Sequence, residues 1–195
     1  MSSSWGAVCR AKQGQTVSGD MYFVQEYAEG KLIASVIDGL GGGVEAARAA
    51  QLALNTLQKH PDMPLQELIR QAHTALHNTR GAVIGVVRLD IAQAQASYIG
   101  VGNIGVQVYS RQPIKPISKN GILGFRLPTL LELHYTYDPG DLFVLYSDGI
   151  SQHFAQDTSI SIRQPPQTMA DSILAGYGKT SDDATVLVIK TSEHA

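Results

Sequence analysis

The chain contains a single cysteine, Cys9, among 195 residues, so an intrachain disulfide is impossible and a cysteine-rich zinc site is excluded. Charge is sparse and balanced. Fifteen Lys and Arg against seventeen Asp and Glu leave a formal charge of −2, and neither sign forms a long block, which argues against a generic binder of nucleic acid or membrane surfaces. Long apolar runs are also missing: stretches such as Gly81 to Val87 fall far short of the ~20 residues of a membrane span. The opening Met1-Ser2-Ser3-Ser4-Trp5 has neither a basic n-region nor an apolar h-region. Repeats, linkers and low-complexity tracts are absent, with 19 Gly and 8 Pro scattered between apolar runs. These absences predict a reduced, soluble, cytoplasmic protein, folded as a single domain over residues 1–195. A chain of this size buries about 70% of its unfolded surface and needs no disulfide or structural metal to hold a core.

The apolar patterning changes period along the chain. Met21 to Ala28 and Leu32 to Ile37 are β-rich and separated by Glu29-Gly30-Lys31, which predicts a hairpin. Val44 to His60 is Ala/Leu-rich and is ended by Pro61 and Pro64, which predicts a helix. Pro64 opens a second, with Leu65, Leu68, Ile69, Ala72 and Leu76 on one face. Strand signals follow at Ala82 to Leu89, Ala94 to Val101, Ile104 to Ser110, Leu130 to Tyr137 and Leu142 to Ser147. A short helical stretch at Gly149 to Phe154, a helix at Gln167 to Ala175 and a strand at Ala184 to Lys190 complete the pattern. Consecutive strands and adjacent helices exclude a regular βαβ alternation and predict an antiparallel two-sheet sandwich with helices outside.

Aspartates stand at the ends of these apolar strands. Asp38 and Asp148 each follow one and precede a glycine, Asp20 stands just before another, and Asp182 and Asp183 precede the last. Strand ends converging on one rim would gather these carboxylates into a pocket, where they repel one another with no run of Lys or Arg beside them. Oxygen donors without nearby Cys or His favour Mg²⁺ or Mn²⁺ over zinc. Two such ions about 3.5–4 Å apart can share a carboxylate, lower the pKa of a bridging water and clamp an in-line phosphoryl displacement, so hydrolysis of a phosphate ester is the chemistry suggested. Asp-Gly is also the commonest hairpin turn, and spacing alone leaves both readings open.

Six segments occur in a characteristic order: Ser18-Gly19-Asp20-Met21-Tyr22, Ile37-Asp38-Gly39-Leu40-Gly41-Gly42-Gly43, Thr79-Arg80-Gly81-Ala82, Gly100-Val101-Gly102-Asn103, Gly140-Asp141-Leu142 through Ser147-Asp148-Gly149-Ile150, and Asp182-Asp183-Ala184-Thr185. In this the chain resembles the metal-dependent type 2C serine/threonine protein phosphatases, in their short bacterial SpoIIE/RsbX-like branch, over about residues 5–190. The resemblance implies an α+β fold, a four-layer α-β-β-α sandwich of two mostly antiparallel sheets flanked by helices. It implies two Mn²⁺ or Mg²⁺ ions, with a water between them attacking phosphoserine or phosphothreonine. By motif position Asp38 would bridge both metals and the Gly39 carbonyl would bind one of them. Asp148 and Asp182 would complete the other metal's shell, with Asp20 acting nearby through metal-bound water. Asp183 would be the lesser ligand of its pair, its side chain stabilising the loop. Asp38 and Asp148 are thus the catalytic candidates. The implied substrate is a phosphorylated STAS-domain protein of a stress-signalling assembly, and a stand-alone enzyme with no sensor domain before residue 5 is expected.

Two departures from the family pattern stand out. Larger members often carry a His just after the Asp-Gly, proposed as the acid for the leaving alcohol, where this chain has Leu40; His134 and His153 are the side chains left to consider. The large members' flap over the site is reduced to the short Gly124-to-Leu130 region. Arg10 is the candidate cation for phosphate. Gly41-Gly42-Gly43-Val44-Glu45-Ala46 also fits a variant dinucleotide fingerprint, but Asp38 would oppose a pyrophosphate and no βαβ unit follows. His73 and His77 are spaced i, i+4 without a third ligand, which predicts an ordinary pair rather than a zinc site. Trp5 and the tyrosines are expected in the core or sheets, and Cys9 as a small packed hydrophobe. Two other classes remain at this point: a non-catalytic partner-binding module on the same fold, and a hydrolase of small phosphate esters.

Overall fold

The computed structural model describes residues 3–191. The elements run in the order β1 (Ser3–Arg10), β2 (Asp20–Ala28), β3 (Lys31–Gly39), α1 (Val44–Lys59), α2 (Leu65–Ala75), β4 (Ala82–Asp90), β5 (Gln95–Val101), β6 (Gly105–Tyr109), β7 (Glu132–Thr136), β8 (Leu142–Tyr146), α3 (Pro166–Tyr177) and β9 (Ala184–Thr191). One sheet has the order β1-β9-β8-β6 and the other β2-β3-β4-β5-β7, and every pairing is antiparallel.

Strand alternation explains the four layers. In β3, Ile33 and Ile37 join the apolar face of α1 and α2, built from Ala49, Ala50, Ala53, Leu57, Leu65, Leu68, Ile69 and Ala72. The intervening Leu32, Ala34 and Val36 point the other way and pack against Phe143 and Leu145 of β8 and Leu187 and Ile189 of β9. Val144, Val186 and Val188 turn outward again onto Met169, Ala170 and Ile173 of α3. Strands apolar on both faces must be covered twice, so helix, sheet, sheet and helix follow from the pattern. Removing one buried Ile or Leu from such a centre costs about 2–5 kcal/mol.

The alanine-rich face of α1 sets how closely it approaches. A side chain at Gly39 would collide with the Ala46 carbonyl, so the end of β3 lies directly under the first turn of α1. Element ends shift by a few residues from the sequence expectations. The helical stretch expected at Gly149 to Phe154 is a 3-10 turn at Gln152–Gln156. β1 carries a weak strand signal in the sequence, because Gly6 and the polar Ser3 and Ser4 dilute its pattern. It pairs with β9 along its whole length, and Gly6 lets the start of α3 rest on it. Trp5 is a sheet residue, as expected, but not a core one: it lies 47% exposed on this edge strand, tilted against Tyr22 at a ring separation of 6.3 Å. Cys9 is exposed rather than packed, its thiol against Ser18 Oγ at 3.4 Å.

Candidate active site

The register of the β2–β3 pair sets Asp20 directly opposite Asp38. Like charges at such a position destabilise a sheet, so the pairing calls for a compensating ligand or proton. In the other sheet β8 and β9 are antiparallel neighbours, which brings Ser147-Asp148, after the end of β8, beside Asp182-Asp183, before the start of β9. Ser147 joins the two rims. Its buried hydroxyl donates to Asp20 Oδ2 at 2.6 Å and accepts from the Thr185 amide at 2.9 Å.

The five acidic side chains have different surroundings. Asp183 is buried; its Oδ1 accepts from the Lys12 amide and its Oδ2 from the Gly19 amide, both at 2.8 Å. It therefore clamps the β1–β2 loop against β9. Asp182 is half-buried and its Oδ1 accepts from the Asp183 amide at 3.0 Å. Asp148 Oδ2 accepts from Asn103 Nδ2 at 2.8 Å, and its carbonyl accepts from Lys179 Nζ at 2.6 Å. Gly39 is held by its amide on the Gly19 carbonyl, and Leu40 by its amide on the Gly81 carbonyl. Asp38 is half-buried where these segments meet.

The cluster is electrostatically uncompensated. Burial, then the charges of Asp20, Asp148, Asp182 and Asp183, push the Asp38 carboxyl up to about 8. Burial, with Asp183 and Asp148 adding to it against the Ser147 hydrogen bond, raises Asp20 to about 6. Among the described residues the ion pairs are Lys31–Asp90 at 3.6 Å and His134–Glu132 at 3.8 Å, neither involving the rim. Nor do the carboxylates close on a point: among the described residues no three His, Cys, Asp or Glu side chains form a ready ligand group. Asp148 and Asp182 are instead turned onto Asn103 and the Asp183 amide.

Several sequence expectations about neighbouring side chains change. Arg10 is tethered by its Nη2, which donates to the Lys179 carbonyl at 2.6 Å. His134 lies on the edge strand β7, three strands from β3, with its Nδ1 on Ser97 Oγ at 2.9 Å. His153 is exposed in the 3-10 turn. His73 and His77 contact each other at 3.4 Å, and His73 Nδ1 accepts the Gly124 amide at 3.0 Å. The Gly124 region is a tight turn, Ile122–Arg126, stitched to the start of β4 by two Ala82–Leu123 hydrogen bonds, with Phe125 84% exposed. Ser147, Asn103 and Lys179 were not singled out from sequence. Ser147 and Asn103 lie within the quoted motifs, whereas nothing local marks Lys179.

Two antiparallel sheets between helix layers, with acidic strand ends on one rim, are the arrangement that the resemblance to type 2C phosphatases implies, and the comparisons that follow identify the chain as a phosphatase. Residues 28–192 match the model of the family described as Stage II sporulation protein E (SpoIIE), and the chain belongs to that family. It is 27% identical over 143 residues to the phosphoserine phosphatase RsbX of Bacillus subtilis (strain 168), covering 72% of this chain and 71% of that protein. It spans a quarter of the stage II sporulation protein E of the same organism, at 24% identity. Among solved structures, a chain from work on the bacterial stressosome superposes with a TM-score of 0.91 at 34% identity, covering 97% of this chain and 100% of that one. RsbX in complex with magnesium superposes at 0.83 and 22% identity, covering 95% and 94%. Among the described residues no helix is long and apolar enough to cross a membrane.

Proposed function

We propose that the chain is a metal-dependent protein serine/threonine phosphatase that holds two Mn²⁺ or Mg²⁺ ions on the acidic rim. The observation that carries this reading is Asp38, whose carboxyl is raised to about 8 by burial and four neighbouring carboxylates. A site that self-repulsive calls for positive charge, and an all-oxygen donor set suits a hard divalent cation. Bound there, such ions supply charge neutralisation and a water acidic enough to be a nucleophile near neutral pH.

Asp38 would be shared between the ions, with the Gly39 carbonyl on one side and Asp148 and Asp182 on the other. Each of these last two carboxylates has one oxygen on a neutral donor and one available. Asp20, tied to Ser147, would orient water at the rim, while Asp183 keeps the loop in place from below. Leu40 offers no proton, so the leaving alkoxide takes its proton from solvent. The proposed substrate is a phosphorylated STAS-domain protein of a stress-signalling assembly in the cytoplasm; the likeness to RsbX and to the stressosome chain supports it. The test is Mn²⁺-dependent phosphate release from a phosphorylated STAS protein, compared with a small aryl phosphate. Turnover of the aryl phosphate alone would favour a small-molecule hydrolase, and turnover of neither a binding module.

A further inference from the structure

We infer that Lys12 and Arg80 are the cations that receive the phosphoryl group of the substrate at this site, an assignment that rests on the phosphatase reading above. The two side chains come from different loops, Lys12 from the β1–β2 connection and Arg80 from the α2–β4 connection. They converge on adjacent residues of the glycine run that leaves Asp38-Gly39. A methyl group at Gly41 would come within 2.7 Å of Arg80 Nη1, and one at Gly42 within 2.6 Å of Lys12 Nζ and 3.1 Å of Gln15 Oε1. The run is thus glycine for two reasons: Gly41 and Gly43 have φ of +96° and +71°, and side chains at 41 and 42 would expel the two cations.

Both backbones are anchored, while among the described residues neither charged end has a hydrogen-bond or ion-pair partner. The Lys12 amide is fixed on Asp183 Oδ1. Arg80 sits between Thr79, whose hydroxyl donates to the Leu76 carbonyl, and Gly81, whose amide donates to Thr79 Oγ1. Neither Lys12 nor Arg80 belongs to the ion pairs of the described residues. Arg10 and Lys179 each place one donor on a backbone carbonyl, of Lys179 and Asp148 respectively, which ties their side chains to the β8–β9 end of the site. Two like charges set against consecutive glycines of one loop, with no carboxylate of the described residues paired to either, suit an anionic ligand. A phosphoryl dianion held beside the glycine run would have both within reach of its oxygens, and an arginine fork with a lysine point charge is a recurrent pairing for phosphate.

The test compares Lys12→Gln, Arg80→Gln, the double variant and Arg80→Lys with the parent protein in Mn²⁺. The readouts are KM and kcat for an aryl phosphate and a phosphoserine peptide, inhibition by inorganic phosphate, and calorimetric binding of inorganic phosphate, which needs no turnover. An exposed charge contact of about 1 kcal/mol corresponds to about five-fold in affinity, so each Gln variant should raise KM and weaken phosphate binding about five-fold. The double variant should lose more than either single variant, with kcat changed far less, and Arg80→Lys should recover part of the loss. Unchanged phosphate binding in the double variant overturns the inference, as does a parent that binds no phosphate. So does a KM effect confined to the peptide, which would place the cations on a flanking acidic residue, or a shift of the pH profile alone, which would make them counter-charges to the rim. A parent that binds phosphate through these side chains yet hydrolyses neither substrate would overturn the phosphatase reading while leaving this one standing. If Arg80→Gln fails to fold, Lys12→Gln and Arg80→Lys still decide the question.

Discussion

Asp38→Asn should inactivate the protein and, without metal, stabilise it at alkaline pH. In the folded chain the Asp38 carboxyl is raised to about 8, against 3.8 as its ordinary value. An acid whose pKa rises on folding holds its proton more tightly in the folded state, so the folded state loses stability as pH climbs from about 4 to about 8. At 1.36 kcal/mol per pKa unit the full difference would be about 6 kcal/mol. Solvent reaches part of the carboxyl and counter-ions screen the repulsion, which reduces the expected effect to about 2 kcal/mol. For a chain of this size that corresponds to about 4–8 °C in Tm. The assay is thermal unfolding in chelator between pH 5 and 9. The parent's Tm should fall from pH 5 to about 8 and level off above it, with Asp20, raised to about 6, contributing in the lower part. Asp38→Asn should flatten most of the fall above pH 7 and melt higher than the parent at pH 8.5. Mn²⁺ at that pH should raise the parent's Tm and leave the variant's nearly unchanged. A parent profile flat from pH 5 to 8.5 in chelator, or a variant less stable than the parent at pH 8.5, would refute the reasoning.

Activity should require added Mn²⁺ or Mg²⁺ and disappear in chelator with the far-UV CD spectrum intact, because three apolar layers hold the fold; a collapse of the spectrum would make the metals structural. Asp182→Asn should abolish turnover with little change in Tm. Asp183→Asn, which weakens two buried charge-assisted bonds to the Lys12 and Gly19 amides, should lower stability by about 1–3 kcal/mol while keeping measurable turnover. The opposite pattern, read from parallel melts and kinetics, would reverse these roles. Leu40→His, placed where the chain turns from Asp38-Gly39 to the Gly81 carbonyl, should accelerate phosphoserine hydrolysis more than aryl phosphate hydrolysis, by at most ~10²-fold. Equal effects on both substrates would mean that another group already serves as acid.

What the sequence determined on its own was the layering and the cast of carboxylates. Apolar residues on both faces of Leu32 to Ile37 and of Ala184 to Ile189 require cover on two sides, and a 3.6-residue period over Leu65 to Leu76 supplies part of it. Strand-end aspartates are visible because an apolar run must stop where a charge begins. The tertiary structure alone decided what each carboxylate meets. Asp182 and Asp183 are neighbours of identical chemistry, yet only Asp183 meets the Lys12 and Gly19 amides, because those arrive from more than 160 positions away. Ser147 looks like any strand-end serine until the second sheet brings Asp20 to its hydroxyl. Arg10 is the cation the sequence suggests for phosphate; packing ties it to the Lys179 carbonyl and lays Arg80, which the sequence does not single out for that role, over Gly41. Periodicity is a local property of the chain, whereas hydrogen-bond partners, buried charge and a raised pKa depend on distances that exist only once distant segments share a rim.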